Sequence, residues 1–407
     1  MFKSFNKYLG LTKEIYTLAI SKTINSMGNF VLPLLTLILT EKVGLSKTEA
    51  GIYLLILSVS YVPGLIIGGK MVDIVGRKKI IIIFHTLAAC VYLGCGVIKP
   101  SIIMVYLLIL GASLLAASMP AYDALAADMT DNSNRKKTYS LLFMGHNFGF
   151  AIAPVLGGFL FKNHLSLVFI IDATSTFLSV ALITIFVKEP KTFKNSTQLH
   201  KDANYKDKSL IFFLKNTPIV AVFSALLFCY QFAYSQWGYT MPLQLTELFK
   251  DKGAYYYGII AGFNGILILI FTPLVTKLTY KLNILKVISL GGILYSIAFG
   301  VLIEAKSLHT FFITVLIMTF GEMMVTINNS TFITTVTPPS HRGRVNGYMQ
   351  IMLGAGFSLG PFMMGIALIY ISIRSVWLII SIEVLIAAIL MLFLGSIWER
   401  NGIDNRY

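Results

Sequence analysis

The feature that most constrains this chain is a series of twelve apolar runs, each long enough to cross a lipid bilayer. A helix that crosses a hydrocarbon core of roughly 30 Å needs about 20 predominantly apolar residues. The runs lie at 14–40, 48–69, 79–98, 101–127, 138–161, 165–187, 211–246, 254–276, 286–304, 308–336, 345–370 and 374–396. We therefore predict an all-α integral membrane protein with twelve transmembrane helices, numbered spans 1 to 12 in chain order.

The composition favours a membrane protein over a soluble one. Hydrophobic residues make up 56% and charged residues 13% of the 407 positions, whereas charged residues are about 25% of an average soluble domain. The net charge of +15 does not indicate a nucleic-acid partner, because the basic residues lie in short clusters between apolar runs. Three cysteines, Cys90, Cys95 and Cys229, lie inside runs without metal-ligand spacing, so we expect no metal site.

The distribution of Lys and Arg predicts the orientation of the chain. Of 33 such residues, 24 lie in segments on the side of the N-terminus, eight lie on the opposite side, and Lys22 lies inside span 1. Because Lys and Arg are enriched on the cytoplasmic side, both termini are predicted to be cytoplasmic in a multi-pass protein of a bacterial plasma membrane.

An internal repeat predicts two halves. Five residues recur at one offset of 207 positions: Arg135, Gly149, Phe150, Pro154 and Gly158 return as Arg342, Gly356, Phe357, Pro361 and Gly365. The predicted domains are an N-terminal six-helix bundle at 1–187, a polar cytoplasmic linker at 188–210, and a C-terminal six-helix bundle at 211–407. A repeat in the same orientation implies two bundles related by pseudo-two-fold symmetry about the membrane normal.

The strongest local motif, GGKMVDIVGRKK, runs from Gly68 to Lys79 between spans 2 and 3. Glycines allow two helix ends to approach closely, and Gly76 permits a tight turn. Asp73 can accept hydrogen bonds from a helix N-terminus. The plainer interpretation is a basic loop that is held at the cytoplasmic face.

This motif resembles the signature loop of the major facilitator superfamily, G-x-L-A-D-R-x-G-R-K. The matching residues are Gly69, Asp73, Gly76, Arg77 and Lys78, while Met71 replaces a Leu and Ile74 an Arg. The resemblance also covers the twelve spans, the linker and the repeat. It implies a cytoplasmic latch that steadies the outward-open state, with Asp128 and Arg135 as further members. The alternative for those two residues is an interfacial charge without a conformational role.

Span 5 carries small residues at four-residue spacing, which predict close helix packing with a kink at a proline. The residues are Gly145, Gly149, Ala153, Pro154, Gly157 and Gly158. The segment resembles the span-5 motif G-x-x-x-G-P-x-x-G-G of antiporters in the superfamily, with Ala153 in place of a glycine. The resemblance implies export by exchange.

Charged residues inside spans cost about 2.5–3.5 kcal/mol each on insertion scales, so they indicate function or specific pairing. We single out Lys22, Asp123, Asp172 and Glu322. Spans 1, 4, 7 and 10 line the cavity in the superfamily, which places Lys22, Asp123 and Glu322 among the cavity candidates. Lys22 and Asp123 should lie at similar depth in the membrane and could form an ion pair. Such a pair could have a functional or a purely structural role. For Asp172 we expect a structural role.

Glu322 is the first candidate for proton coupling and Asp123 the second. A carboxyl group in an apolar mid-span position can take up and release a proton near neutral pH. It could also bind the positive head of a cationic drug. The plainer alternative is a protonated Glu322 that only forms a hydrogen bond to a neighbouring helix. Multidrug exporters of the superfamily commonly place an acidic residue after a glycine here, as in Gly321-Glu322. Their usual span-4 arginine is missing from 105–117.

Other polar residues of the spans are candidates for the substrate cavity. They are Asn25, Asn29, His146, Asn147, Tyr230, Gln231, Tyr234, Trp237, Asn328 and Asn329. Aromatic residues in this group could bind cations through their ring faces, and those near a membrane surface could equally be interfacial anchors.

The predicted function is a secondary active transporter, a proton-coupled antiporter that exports amphipathic or cationic organic compounds by alternating access. The alternative is a dedicated exporter of an endogenous polar metabolite, such as a metal-chelating metabolite. The six histidines are scattered and no HExxH motif or phosphate-binding glycine loop is present, so we do not expect an enzyme. We expect no cofactor, the proton gradient as the energy source, a monomer in the lipid bilayer, and no nucleic-acid partner.

Overall fold

A computed structural model describes residues 10–130, 134–189, 214–279, 282–337 and 342–400, without the side chains of 73, 135, 136, 330, 334, 342–344 and 346. Within these residues the regular structure is helical. The helices are α1 (Lys13–Gly28), α2 (Val31–Leu37), α3 (Lys47–Val75), α4 (Arg77–Val97), α5 (Ile102–Asp128), α6 (Arg135–Phe161), α7 (Leu165–Phe186), α8 (Pro218–Tyr234), α9 (Thr240–Phe249), α10 (Gly253–Thr279), α11 (Ile284–Val301), α12 (Leu308–Val336), α13 (Arg342–Ala367) and α14 (Ile373–Arg400). Span 1 contains α1 and α2, span 7 contains α8 and α9, and every other span is one helix.

Eleven helical stretches of the described chain are long and apolar enough to cross a membrane. One of them, 218–279, has 62 residues, enough for two crossings of about 20 residues each. A short helical turn at Lys250–Lys252 divides it, and Lys250 has a φ of 49° where α9 ends. This one stretch contains both span 7 and span 8. The eleven helical stretches therefore correspond to the twelve predicted runs.

Span 1 is interrupted between α1 and α2, and a carboxylate stabilises the interruption. The backbone N–H of Val31, the first residue of α2, donates to Oδ2 of Asp172 at 3.3 Å. Asp172 lies on α7 and is 3% exposed. A carboxylate at a helix N-terminus accepts from otherwise unpaired N–H groups and interacts favourably with the helix dipole. This contact gives Asp172 a structural role, in agreement with the sequence-based interpretation.

The chain divides into two compact units. Unit 1 contains Met1–Leu45, Ile56–Asn204 and Asp251–Gly265, and unit 2 contains Ser46–Leu55, Tyr205–Lys250 and Ile266–Tyr407. Two of the bounds therefore fall inside α3 and α10. The predicted contiguous halves, 1–187 and 211–407, stay a prediction, and nearly all of the predicted linker lies outside the described residues.

The two units use the same helix pairing. In unit 1, α1 packs against α6 and α7, and α4 packs against α5 and α7. In unit 2, α8 packs against α13 and α14, and α11 packs against α12 and α14. Each pair of the second set lies six spans after its counterpart in the first set. The repeat seen in the sequence is therefore a repeat of packing.

Many large apolar side chains are exposed along the helices. Ile185 of α7 is 71% exposed and Phe159 of α6 is 69% exposed, and each helix of more than 20 residues carries comparable positions. Soluble monomers rarely expose such extended apolar surface. These faces are the expected contacts with lipid, because apolar side chains are what a spanning helix presents to the hydrocarbon core.

Candidate functional site

Unit 1 contains a cavity of about 320 Å³ formed by α1, α5 and α6. Its lining residues are Lys22, Tyr122, Asp123, Tyr139, Leu142, Phe143 and His146. The sequence analysis selected Lys22, Asp123 and His146, and the structure brings all three to one cavity. In the part of the chain that the structure describes, no ion pair joins Lys22 to Asp123. The wall of the cavity therefore contains both a lysine and an aspartate side chain.

The other polar candidates of unit 1 are tied into helix packing. The Asn25 amide donates to the Thr176 hydroxyl at 2.9 Å and so links α1 to α7. The Asn147 amide donates to the Phe143 carbonyl of its own helix at 2.8 Å. Asn29 ends α1 through a bond from its backbone N–H to the Ser26 carbonyl. Asn25 therefore joins two helices, whereas the bonds of Asn147 and Asn29 are local, and the wall of this cavity is formed by other residues.

Hydroxyl groups that the sequence analysis missed support the cavity wall from behind. Ser21 and Ser179 lie 2.6 Å apart and are buried, and the Tyr122 hydroxyl lies 3.4 Å from Ser179. The His85 ring lies 5.2 Å from the Tyr122 ring. Small hydroxyl residues in an apolar run carry little signal in the sequence, because serine on a helix can bond its own backbone.

In unit 2, Glu322 of α12 is held by an aromatic group. The Tyr234 hydroxyl of α8 donates to Oε1 of Glu322 at 2.9 Å. The Tyr234 ring lies 5.8 Å from the Tyr295 ring of α11, and the Tyr230 ring lies 6.3 Å from Tyr295. The sequence selected Glu322, Tyr230 and Tyr234 but missed Tyr295, which lies within the apolar run at 286–304.

The remaining candidates of unit 2 differ in accessibility. Tyr230 is 1% exposed, and its hydroxyl donates to the Ile288 carbonyl at 3.4 Å. Trp237 is 8% exposed and lies in the short helical turn after α8. The Asn328 amide donates to the Met324 carbonyl of its own helix at 2.8 Å. The half-buried Gln231 and Asn329 remain candidates, with Gln231 lying against Gly356 of α13.

The start of α4 forms an ion pair with the end of α5. Nε of Arg77 lies 3.0 Å from Oδ2 of Asp128, and the Arg77 side chain is 9% exposed. Gly76 has a φ of 112°, which allows the turn between the two helices. The close approach of α3 to α5 lies at Gly68, whereas a Cβ added at Gly69 would meet nothing within 4 Å. The side chains of Asp73 and Arg135 lie outside the described residues.

Glu189, which the sequence analysis missed, accepts hydrogen bonds at the start of α4. The Lys78 backbone N–H lies 3.1 Å from Oε2 and 3.3 Å from Oε1 of Glu189. The Lys78 ammonium group donates to the Thr184 carbonyl of α7 at 2.8 Å. The end of α7 thus fixes the loop. The only sequence signal was an acidic residue just after span 6.

The glycines of the span-5 motif are packing positions. A Cβ at Gly149 would come within 2.5 Å of Ser26 on α1, and a Cβ at Gly157 within 3.0 Å of Leu34 on α2. Gly145 approaches Thr23 still more closely. A Cβ at Gly158 would lie 2.6 Å from the Ala254 carbonyl on α10. Three glycines therefore face span 1, Gly158 faces span 8, and Pro154 lies inside the helix between them.

Comparisons with known proteins place these features in a family. The family model described as Major Facilitator Superfamily matches residues 18–336 and 257–401. An uncharacterized MFS-type transporter of Bacillus subtilis, YttB, is 25% identical over 92% of this chain and 93% of its own length. A Na(+), Li(+), K(+)/H(+) antiporter of Planococcus maritimus is 21% identical over 83% of this chain and 85% of its own.

Two further comparisons bear on function and on fold. Multidrug resistance protein 1 of Bacillus subtilis is 29% identical over 40% of this chain and 41% of its own length. The crystal structure of the nucleoside transporter NupG superposes with a TM-score of 0.76 at 15% identity, covering 94% of this chain and 99% of that one. At this identity the structural likeness concerns the fold.

Proposed function

The chain belongs to the major facilitator superfamily, and from that premise we propose that it is a proton-coupled antiporter that exports amphipathic or cationic organic compounds. The family and the fold make it a multi-pass membrane transporter. The proposal adds the substrate class, the direction of transport and the coupling ion.

The observation that carries the proposal is the hydrogen bond from Tyr234 to Glu322 beside the Tyr295 ring. A carboxylate attracts the charge of an organic cation, and tyrosine ring faces add a favourable cation–π contribution. The same carboxyl group can bind a proton in place of the cation. Because cation and proton would compete for one group, binding of either favours release of the other, which is the requirement for exchange.

The relatives support this choice of substrate class. The antiporter from Planococcus maritimus exchanges inorganic cations for protons according to its name, and a second relative is named as a multidrug resistance protein. The span-5 residues Gly145, Gly149, Pro154, Gly157 and Gly158 match the antiporter motif, apart from the alanine at position 153. Their close packing in the structure is compatible with that motif.

The proposed cycle is alternating access in a bacterial plasma membrane, with both termini cytoplasmic. The Arg77–Asp128 ion pair is the described part of a cytoplasmic latch that would also include Asp73 and Arg135. The transmembrane proton gradient would supply the energy without a bound cofactor, and a monomer would be the transporting unit. A reporter fused after the C-terminus should be active in the cytoplasm, and periplasmic activity would contradict this orientation.

The test is uptake of a fluorescent lipophilic cation into inverted membrane vesicles under an imposed pH gradient. Wild-type protein should accumulate the dye, and Glu322→Gln should abolish accumulation at equal membrane abundance. Glu304→Gln is the matched control, since this carboxylate is 68% exposed and pairs with Arg374 outside the apolar interior. No accumulation by the wild type would count against cation export. Transport that survives in Glu322→Gln would show that Glu322 does not bind the coupled proton, and Asp123 would be the next candidate.

A second candidate function rests on the cavity of unit 1. Lys22 and Asp123 line the same space together with His146, and a cation beside a carboxylate suits a zwitterionic or carboxylate-bearing metabolite. This arrangement favours export of one endogenous polar metabolite, such as a metal-chelating metabolite. Comparing the metabolites released by cells with wild-type protein and with Lys22→Gln would test it. An identical metabolite profile would reject it.

A further inference from the structure

A carboxyl group that the proposed transport site does not use lies midway along α14. Glu383 stands ten residues after Ile373, where the helix begins, and therefore about 15 Å along it. The sequence analysis overlooked it inside the run at 374–396. It lines a cavity of about 420 Å³ in unit 2, formed by α8 and α14.

The walls of this cavity, called the α8–α14 groove, are almost entirely apolar. Besides Glu383 they consist of Leu226, Cys229, Ile379, Ile382, Ile386, Ala387 and Leu390. Ile382 is 48% exposed and Ile386 53% exposed, so the groove opens on a surface of isoleucine side chains. In a membrane such a surface contacts the acyl chains of lipids.

The carboxyl group of Glu383 lacks a charged partner among the described residues. Its Oε2 atom is shielded from solvent and has no hydrogen-bond partner there. None of the ion pairs that the structure describes includes Glu383. Its polar neighbour in the groove is the Cys229 thiol, which is neutral and a weak donor. A carboxylate without a counter-charge at this depth is costly, so a cationic ligand would stabilise it substantially.

We infer that the α8–α14 groove binds a lipophilic amine dissolved in the bilayer, with the ammonium group on Glu383 and the apolar body along Ile382 and Ile386. Charge complementarity selects the head, and the apolar walls select the body. The headgroup of a two-chain aminophospholipid stays at the membrane surface, whereas Glu383 lies about 15 Å along its helix. The occupant is therefore a free amine. This inference goes beyond the proposed function, because it concerns binding from the lipid phase and does not require transport.

The test uses two photoreactive probes with the same diazirine-bearing alkyl chain, one ending in an ammonium group and the other in a hydroxyl group. Full-length protein in phosphatidylcholine vesicles is labelled, digested and mapped by mass spectrometry. The ammonium probe should label peptides that contain Leu226 to Cys229 and Ile379 to Leu390. Glu383→Gln should lower this labelling about tenfold, because a neutral amide binds the ammonium group more weakly than the carboxylate does, and tenfold corresponds to about 1.4 kcal/mol. The hydroxyl probe should label both proteins equally.

A second measurement uses the wild type alone. Dicyclohexylcarbodiimide modifies carboxyl groups in apolar surroundings, and tetradecyltrimethylammonium should protect Glu383 from it, whereas tetradecanol should not. Equal protection by the two compounds would overturn the inference, as would ammonium labelling that is unchanged in Glu383→Gln. Loss of labelling in vesicles that contain phosphatidylethanolamine would show that a lipid headgroup occupies the groove. That result would overturn the inference that the occupant is a free amine.

One control separates this inference from the proposed function. Glu322→Gln removes the carboxylate of the proposed transport site and leaves the groove intact. Groove labelling should therefore persist in Glu322→Gln while dye transport is lost. Labelling that disappears in Glu322→Gln and persists in Glu383→Gln would show that the amine binds at the transport site. That result would overturn amine binding in the α8–α14 groove and leave the proposed transport function standing.

Discussion

Gly258 of α10 lies so close to the carbonyl oxygen of Pro154 on α6 that a Cβ at Gly258 would overlap it. The same relationship joins Gly51 of α3 to the carbonyl oxygen of Pro361 on α13. Gly51 lies 207 positions before Gly258, and Pro361 lies 207 positions after Pro154. The Ala254 carbonyl next to Gly158 has its counterpart in the Lys47 carbonyl next to Gly365. The internal repeat thus extends to spans 2 and 8, one contact lying within unit 1 and the other within unit 2.

Replacing Gly258 by alanine should destabilise the protein. The new Cβ would meet a backbone carbonyl, which cannot rotate away as a flexible side chain can, and overpacking of this kind costs about 1–3 kcal/mol. We expect Gly258→Ala, and likewise Gly51→Ala, to lower the melting temperature of the purified protein in detergent. Fluorescence-detected thermal unfolding would measure the change.

The matched control is Gly354→Ala on α13, where an added Cβ would meet nothing within 4 Å. Alanine at an open helical position is favoured over glycine by about 1 kcal/mol. Gly354→Ala should therefore keep or raise the melting temperature. Equal melting temperatures for the Gly258 and Gly354 variants would show that the close approach at Pro154 is not a constraint.

Asp128→Asn should impair transport more than it impairs membrane insertion. The variant replaces the carboxylate that pairs with the Arg77 guanidinium group, only 9% exposed, by a neutral amide, and a neutral acceptor forms a hydrogen bond roughly half as strong as a charged one. We expect a severalfold drop in the initial transport rate at equal abundance in the membrane. Asp73→Asn should behave similarly if Asp73 belongs to the same latch.

The control for Asp128 is Glu399→Gln, which removes the ion pair with Lys286. Both partners of that pair are more than a third exposed, and exposed pairs contribute less than about 1 kcal/mol. Its transport rate should stay close to the wild type. A similar loss in both variants would indicate a general effect of removing an ion pair.

The fold was largely predictable because membrane spans are marked by length and apolarity, which a single sequence displays directly. The interruption of span 1 at Asn29 was not predictable, since it depends on Asp172 from another helix. For the same reason Tyr295 and Glu189 were missed, because each acquires its role from a partner distant in sequence. Charge marked some of the residues that lie at a cavity or in a polar cluster, as for Lys22, Asp123 and Glu322.

Glu189→Ala should destabilise the loop between α3 and α4. The Lys78 N–H would lose its acceptor at the start of α4, and loss of a side-chain cap costs about 1 kcal/mol. Glu189→Gln keeps an amide oxygen as acceptor and should retain much of the stability. Hydrogen exchange of the Lys78 amide would report the difference. Equal exchange in the alanine variant and the wild type would show that Glu189 does not cap the helix.

Tyr234→Phe should weaken the binding of a cationic substrate while leaving the protein folded. The variant removes the hydroxyl that donates to Glu322 at 2.9 Å but keeps the ring that lies near Tyr295. A hydrogen bond to a charged group contributes about 1.5–3 kcal/mol, so a poorly oriented carboxylate should raise KM about tenfold, with a smaller change in kcat. Dye uptake at graded concentrations into inverted vesicles would give both constants.

Tyr230→Phe provides the control for Tyr234, because it also removes a hydroxyl from α8 and also keeps a ring beside Tyr295. The Tyr230 hydroxyl donates to the Ile288 carbonyl at 3.4 Å instead of to Glu322, and a long bond of that kind contributes little. KM should therefore stay within about twofold of the wild type. Equal increases in both variants would mean that the hydroxyls act on the packing of α8 against α11. An increase confined to Tyr234→Phe would assign the effect to the carboxylate of Glu322.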